Sequence, residues 1–299
     1  MVKEGLPISV VTACRNCDNY IGNTILSVIG QQYQNLQYIV VDGASTDSTL
    51  EIANRYRKNI DTLISEPDDG QYYGIQKGMD LAHGEIMAWL NADDIYYPWT
   101  FSVVQSVFEK YPEVEWLTGV PSYINDAGQC IRVAGNPGSA YPRQYILNGW
   151  FRSSLAGYLQ QESMFWRRSL WEKVTRLDLS LKYAADFELW TRFAKHAELY
   201  SLTVPLAAFR TRPGAQISSL KKDEYENEVS QVCRNLKRPP RVWAAIAGRG
   251  VIANHICRML IWKKCKIIVY SEERKDWIIK KAIRPLSRLS LAQAMIEMK

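Results

Sequence analysis

Residues 8–13 (Ile-Ser-Val-Val-Thr-Ala) are an apolar, β-branched run behind a proline, which predicts a buried strand. Ile21, Ile25, Val28 and Ile29 then recur at the spacing of one helix face. A second strand over residues 38–41 runs into Asp42-Gly43-Ala44-Ser45-Thr46-Asp47, a turn rich in capping residues, with a helix to about Tyr56. A short strand at 62–65, a helix at 75–81 and a strand at 86–90 continue the alternation. Beyond residue 100 the pattern predicts a helix (100–111), a strand (114–123), turns to about Gly157, a strand-helix pair (163–174) and a helix over 186–196. Alternation of this kind predicts an α/β fold, a mixed, mainly parallel sheet with helices on both faces.

Ligands of such sheets bind beyond the carboxyl ends of the strands, where strand order reverses. The residues to inspect are therefore Thr12 and Ala13, Asp42, residues 66–70 and residues 91–94. Asn91-Ala92-Asp93-Asp94 follows the apolar strand at 86–90, and adjacent carboxylates repel unless a cation joins them. Oxygen ligands suit Mg²⁺ or Mn²⁺ bridging to substrate phosphates, although the same two acids would also serve as a helix cap or Asx turn. Asp42 is placed to accept from the imide N–H of a uracil or thymine, or simply to close a turn, while Asp47 reads as a helix cap. Asp186 opens the amphipathic helix at 186–196, either as a cap or as a general base for an acceptor hydroxyl. Lys77 offers positive charge for a diphosphate. Gln161, Glu162, Trp166 and Trp190 are candidates for the acceptor side, since aromatic faces and polar groups recognise sugars.

Composition narrows the class. At 299 residues, 47% hydrophobic and 23% charged, the chain has room for a large α/β domain and an appendage, and it does not read as disordered or polytopic. Its net charge of +6 is uneven: residues 234–299 hold 16 Lys and Arg against 4 Asp and Glu, leaving 21 against 27 in residues 1–233. A basic tail suits an anionic surface. The apolar stretch 251–262 is broken by Arg258 and followed by lysines, so it is too short to span a bilayer but fits an interfacial helix. Residues 267–270 and 277–279 flank a charged turn and read as a hairpin. The Gly248-Arg-Gly250-Val-Ile-Ala253 run resembles a dinucleotide loop, yet too little chain follows to complete such a domain. The tail lacks a basic-aromatic pattern for nucleic acid, so no nucleic-acid partner is expected. The N-terminus has no apolar run of signal-peptide length, so a cytoplasmic protein is expected, peripheral at the inner face of the plasma membrane. Cys14 and Cys17 form a Cys-x-x-Cys pair without a second pair or a histidine to complete a zinc set.

The ordered motifs Val-Val-Asp42-Gly-Ala-Ser-Thr-Asp, Glu66-Pro-Asp68-Asp-Gly70-Gln-Tyr, Lys77-Gly78, Leu90-Asn91-Ala-Asp93-Asp94, Gln160-Gln-Glu162-Ser-Met-Phe-Trp and Ala185-Asp186-Phe-Glu-Leu-Trp190, through to Phe209-Arg210, resemble the family 2 glycosyltransferases. The likeness covers roughly residues 6–220, so the chain divides into a catalytic domain at 1–220 and a basic extension at 221–299 of helix and hairpin. The resemblance implies a GT-A fold and inverting transfer from a nucleoside-diphosphate sugar, UDP-linked, to a saccharide or lipid-linked saccharide in bacterial polysaccharide, O-antigen or capsule synthesis. It implies base contact by Asp42 with Thr12 beside it, Asp68 on the donor side, Asn91 near the ribose, Asp93 as chief Mn²⁺ or Mg²⁺ ligand with Asp94 in support, and Asp186 as base. Two departures are visible: Tyr73-Gly74 and Gln76 stand where the family has Asp-Ala and Asn, and Arg212 stands where many members carry a histidine. An arginine there would clamp the diphosphate. The rival reading is a non-catalytic nucleotide or sugar binder on the same fold.

Overall fold

The structure, a computed structural model, describes residues 5–134, 141–152, 157–212, 220–236 and 263–284. Strand β1 (Ile8–Cys14) is buried along its whole length, as a strand covered on both faces must be. It pairs in parallel with β2 (Leu36–Asp42) on one side and β4 (Ile86–Trp89) on the other, and β2 pairs in parallel with β3 (Thr62–Ser65). Strand order therefore reverses at β1.

Period-two alternation divides the side chains of these strands between two cores. Val10, Tyr38, Val40 and Ala88 face helices α1 (Ile21–Ile29), α2 (Thr49–Arg55) and α4 (Thr100–Lys110). Val11, Ile39, Val41 and Trp89 face α3 (Gln71–Leu81), α5 (Arg143–Leu147), α6 (Arg168–Val174) and α7 (Ala185–His196). The expected sheet with helices on both faces is thus present. Four tryptophans, Trp89, Trp116, Trp166 and Trp190, lie fully buried in the second core, with Trp89 and Trp190 stacked at 5.6 Å between centroids. Each such pair adds about 0.5–1.5 kcal/mol beyond the area it buries.

Beyond β4 the sheet departs from the parallel pattern. Strand β9 (Phe165–Arg167) inserts antiparallel between β4 and β6 (Trp116–Thr118), and β6 pairs in parallel with β10 (Leu199–Leu202). The single strand expected over 114–123 is two strands: β6 belongs to the large sheet, and β7 (Ser122–Ile124) joins β5 (Ile95–Tyr96), β8 (Cys130–Val133) and β11 (Ala207–Arg210) in a second sheet of four. Gly119 and Pro121 make the break. A Cβ on Gly119 would lie 2.7 Å from the Leu206 nitrogen, and proline has no N–H for a ladder.

Past residue 220, α8 (Lys222–Arg234) buries Val229 and Val232 against the core of α7. The expected hairpin is present and longer than its apolar segments suggest. Strands β12 (Lys263–Ser271) and β13 (Asp276–Arg284) pair antiparallel, and β12 extends the large sheet by pairing in parallel with β10. The Gly248–Ala253 run and the 251–262 stretch lie outside the described residues. Among the described residues no helix is long and apolar enough to cross a membrane.

Helix α3 approaches β1 through Gly78, where an added Cβ would collide with both γ-carbons of Val11. Gly78→Ala should lower stability by about 1–3 kcal/mol despite the better helix propensity of alanine, because a fully buried strand cannot give way. A urea midpoint unchanged or raised in Gly78→Ala would contradict this packing.

Candidate active site at the carboxyl edge of the sheet

The chain leaving β4 turns at Asn91-Ala92-Asp93-Asp94, where the Asp94 N–H donates to the Asn91 carbonyl at 3.1 Å. This turn sends the two acids in opposite directions. Asp94 is 1% exposed and accepts from the Arg210 backbone N–H (2.9 Å) and the Asn91 amide (3.2 Å). Burial, with Asp93 and Glu162 nearby, holds its carboxyl well above the usual carboxylate range. Asp93 faces outward and is half-buried, its Oδ2 accepting from Arg212 at 2.6 Å.

Arg210 ends β11, and Arg212 follows two residues later on the chain leaving the strand. Arg210 is wholly buried and donates to the carbonyls of Asp93 (2.7 Å) and Asp126 (2.7 Å). Both guanidinium groups lie about 5 Å from the ring of Tyr20, whose hydroxyl donates to Asp126. The motif is thus locked to β11 through main-chain contacts of Arg210, which sequence reading marked only as the end of a pattern.

The donor-side residues divide. Asp68 lies against Gly43 and Gly74, where added Cβ atoms would come within 2.9 and 3.2 Å of its Oδ2, and it accepts from the Gly70 N–H. Gly74 thus makes the room for Asp68 on α3. Asn91 accepts from Gln71 of the same helix at 2.8 Å. Lys77 is ion-paired with Glu66. Two expectations change. Thr12 is fully buried and accepts from the Tyr38 hydroxyl (3.1 Å), so it faces the core and not a nucleotide. Asp42 is also enclosed, accepting from the Ser45 N–H and hydroxyl and from the Ser65 hydroxyl (2.7 Å), and base contact would require the Ser45 turn to open. Asp47, expected as the cap of α2, lies one residue before the N-cap Ser48 and accepts from the Thr49 N–H at 2.9 Å at the start of that helix.

The acceptor-side expectations divide as well. Trp166 and Trp190 are core residues, at 0% and 1% exposure, packed against each other at 5.9 Å, and this corrects their assignment to the acceptor. They fill the interior because β9 and α7 present them to the core face. Gln161 and Glu162 lie on the segment entering β9. Gln161 donates to the Trp89 carbonyl at 2.7 Å, and among the described residues Gln161 Oε1 and Glu162 Oε1 are buried without a hydrogen-bond partner. Unpaired polar atoms of this kind are costly unless a ligand or water completes them. Burial pushes the Glu162 carboxyl up to about 8, and the charges of Asp93 and Asp186 add to it. Glu162 therefore lies within electrostatic reach of both the metal-motif acid and the expected base.

Asp186 stands in the first turn of α7, accepting from the Phe187 N–H (2.7 Å) and the Tyr72 hydroxyl (3.2 Å). Burial raises its carboxyl to about 6, against the opposing effect of these two hydrogen bonds. Glu228 of α8 accepts from the N–H groups of Lys182, Tyr183 and Ala184, each at 2.9 Å, and so fixes the approach to Asp186. Tyr72 and Glu228 escaped sequence reading, because their partners lie 114 and 44–46 residues away in the chain.

The residues fit a divalent cation in one mode only. Asp94 is enclosed, which corrects its role as a supporting ligand, and among the described residues no group of three His, Cys, Asp or Glu is arranged around a common point. A hard cation held by one carboxylate, waters and a substrate diphosphate needs no more than Asp93.

An open, mostly parallel sheet with acids gathered where strand order reverses belongs to the nucleotide-binding class of α/β folds. The chain belongs to glycosyl transferase family 2, whose model matches residues 9–172. The protein named uncharacterized glycosyltransferase RP339 of Rickettsia prowazekii is 25% identical over 193 residues, 64% of this chain and 60% of that protein. The putative teichuronic acid biosynthesis glycosyltransferase TuaG of Bacillus subtilis is 33% identical over 90 residues, 29% of this chain and 36% of its own. Among solved structures, S. aureus TarS 1-349 in complex with UDP-GlcNAc aligns with a TM-score of 0.59 at 18% identity, covering 78% of this chain and 68% of that one. The mannosyltransferase PcManGT of Pyrobaculum calidifontis, in complex with GDP-Man and Mn²⁺, aligns at 0.57 and 17% identity, covering 85% and 79%. These likenesses bear out the GT-A architecture.

Glu162 supplies a direct check on the site's burial. Its folded pKa of about 8 lies above the ordinary 4.5, so the fold favours the neutral acid, and stability attributable to this group falls as pH rises through that window. Glu162→Gln should flatten the fall in Tm between about pH 5 and 8 and raise Tm above pH 8. Parallel Tm–pH curves for the two proteins would show that Glu162 is not enclosed as described.

Proposed function

We propose that this protein transfers a sugar, with inversion, from a UDP-linked donor to a hydroxyl of a saccharide or lipid-linked saccharide during polysaccharide assembly. The observation that carries the reading is the half-buried carboxylate of Asp186, raised to about 6, with Glu162 within electrostatic reach of both it and Asp93. A base of that pKa is ionised at neutral pH yet strong enough to take a proton as the hydroxyl attacks. The neighbours add support: TarS is solved with UDP-GlcNAc, and TuaG is named for a wall polysaccharide.

In the proposed reaction the acceptor oxygen bonds to the anomeric carbon from the face opposite the diphosphate. Its proton passes to Asp186, and the bond from the anomeric carbon to the diphosphate oxygen breaks. Asp68 and Asn91 hold the donor beside α3, and Arg212 leaves Asp93 to meet the charge that grows on the departing diphosphate. Asp93 would hold Mn²⁺ or Mg²⁺, which when bound supplies further neutralisation of that leaving group. Gln161 and Glu162 offer their unpaired oxygens to acceptor hydroxyls. The basic segment 221–299 places the protein at the inner face of the plasma membrane in this reading, with Lys280 and Lys281 exposed on β13.

Release of UDP from a panel of UDP-sugars, with and without Mn²⁺, tests the activity. Asp186→Asn should lower kcat by about 10²–10⁴-fold with donor binding retained. The wild-type rate should fall as pH drops below about 6, where the base becomes protonated. Full activity in Asp186→Asn would remove the base assignment. Asp93→Ala should abolish stimulation by Mn²⁺, and an unchanged metal response would remove Asp93 from the metal site. The intact protein should sediment with vesicles containing anionic lipid at low salt and be released by 0.5 M salt, a concentration of the order that screens surface charge. Recovery entirely in the supernatant would rule out the membrane role.

A further inference from the structure

We propose that Tyr72 is a positioning residue for Asp186, its hydroxyl orienting the base and holding it ionised from the helix that also carries the donor contacts. The proposal rests on the reading of Asp186 as the base. Two adjacent residues at the start of α3 reach in different directions: Gln71 donates to Asn91 of the donor motif at 2.8 Å, and Tyr72 donates toward Asp186 Oδ1 at 3.2 Å. Gly70, at φ 135°, allows the chain to enter the helix at this point. One short helical turn therefore touches both halves of the site.

The Tyr72 hydroxyl has a second acceptor, the Tyr183 carbonyl, at 3.1 Å. With one proton and two acceptors, the phenol donates to the carboxylate while Asp186 is charged. After Asp186 has taken the acceptor's proton, the phenol turns to the carbonyl. The peptide that carries this carbonyl cannot drift during this exchange, because its N–H, that of Ala184, donates to Glu228 at 2.9 Å. Tyr72 is itself nearly buried, and burial holds its hydroxyl well above the usual phenol range, so it remains a donor throughout. Tyr72 moves no proton of the reaction; it sets where and in what state the base waits.

Burial and the charge of Glu228 oppose the ionisation of Asp186, while the Phe187 N–H supports it and the raised Glu162 and Tyr225 stand beside it as neutral groups near pH 7. Glu162 approaches from the segment before β9, and Glu228 and Tyr225 approach from α8. Removing the Tyr72 hydroxyl leaves these groups in place and deletes a hydrogen bond to the charged form, so the carboxyl pKa must rise. The acid limb of the pH–rate profile follows it upward.

The test is the pH dependence of UDP release, with the active donor of the panel, for the parent, Tyr72→Phe, Asp186→Asn and protein carrying 3-fluorotyrosine at position 72. Tyr72→Phe should lower kcat by about tenfold and move the acid limb up by about 0.5–1 pH unit, as expected for loss of a hydrogen bond to a charged group. The KM for donor should stay within about twofold. The fluorinated phenol is a stronger donor and should move the limb down. A limb unmoved in Tyr72→Phe, or moved the same way by both substitutions, overturns the proposal. Loss of UDP binding, measured by calorimetry, in step with kcat also overturns it, since that is the mark of a merely structural residue. If Asp186→Asn is inactive while Tyr72→Phe keeps the parental limb, only the proposal fails; if Asp186→Asn is active, the base reading fails and takes the proposal with it.

Discussion

The enclosed carboxylate of Asp94 is the interaction on which the geometry of the site depends. It accepts the Arg210 N–H and the Asn91 amide, and the Thr24 hydroxyl donates to the carbonyls of Ala92 and Asp94 at 2.8 Å. These contacts join the end of β4 to α1 and to β11, three elements far apart in the chain. A turn so tied has one conformation available, and Asp93 is left as the acid that faces outward. The cost is a carboxyl held out of water, offset by its hydrogen bonds. Leaving Asp94 without its partners would expose the full desolvation penalty of its carboxyl.

Around that anchor, charge is distributed by depth. The deep acids, Asp94 and Glu162, are pushed toward the neutral form by burial and by the charge of neighbouring acids, whereas Asp186 is raised only to about 6, its burial opposed by the hydrogen bonds from Phe187 and Tyr72. Three carboxyl groups can share a small region because they do not all carry charge at the same pH. Arg212 supplies the compensating cation at Asp93, the acid that lies nearest solvent. In the proposed reaction this arginine is the group that would meet an anionic diphosphate.

The segment beyond residue 220 contributes to this organisation. Through Glu228, α8 clamps three N–H groups ahead of Asp186, and β12 extends the sheet that carries the rest. Its part in the fold is therefore positional: Val229, Val232 and Ile268 occupy the interior, and among the described residues Lys264, Lys280 and Lys281 are exposed.

The pattern of apolar residues was sufficient to place β1 to β4 and the helices between them, because a strand covered on both faces must be apolar along its length and a surface helix must repeat every three to four residues. The strand-end acid Asp93 was legible for the same reason, since topology alone puts strand ends at one edge, and Asp186 was legible from its place at the start of an amphipathic helix. Whether each acid faces outward was not legible. Asp94 and Asp42 are enclosed and Asp93 is not, although all three follow apolar strands, because the deciding partners Arg210, Ser45 and Ser65 arrive from elsewhere in the fold. The tryptophans show the same limit: composition cannot tell an aromatic face that meets a sugar from one that meets another tryptophan. Local order follows from periodicity in the chain, whereas the direction and ionisation of a side chain depend on neighbours that only tertiary packing brings within a few ångströms.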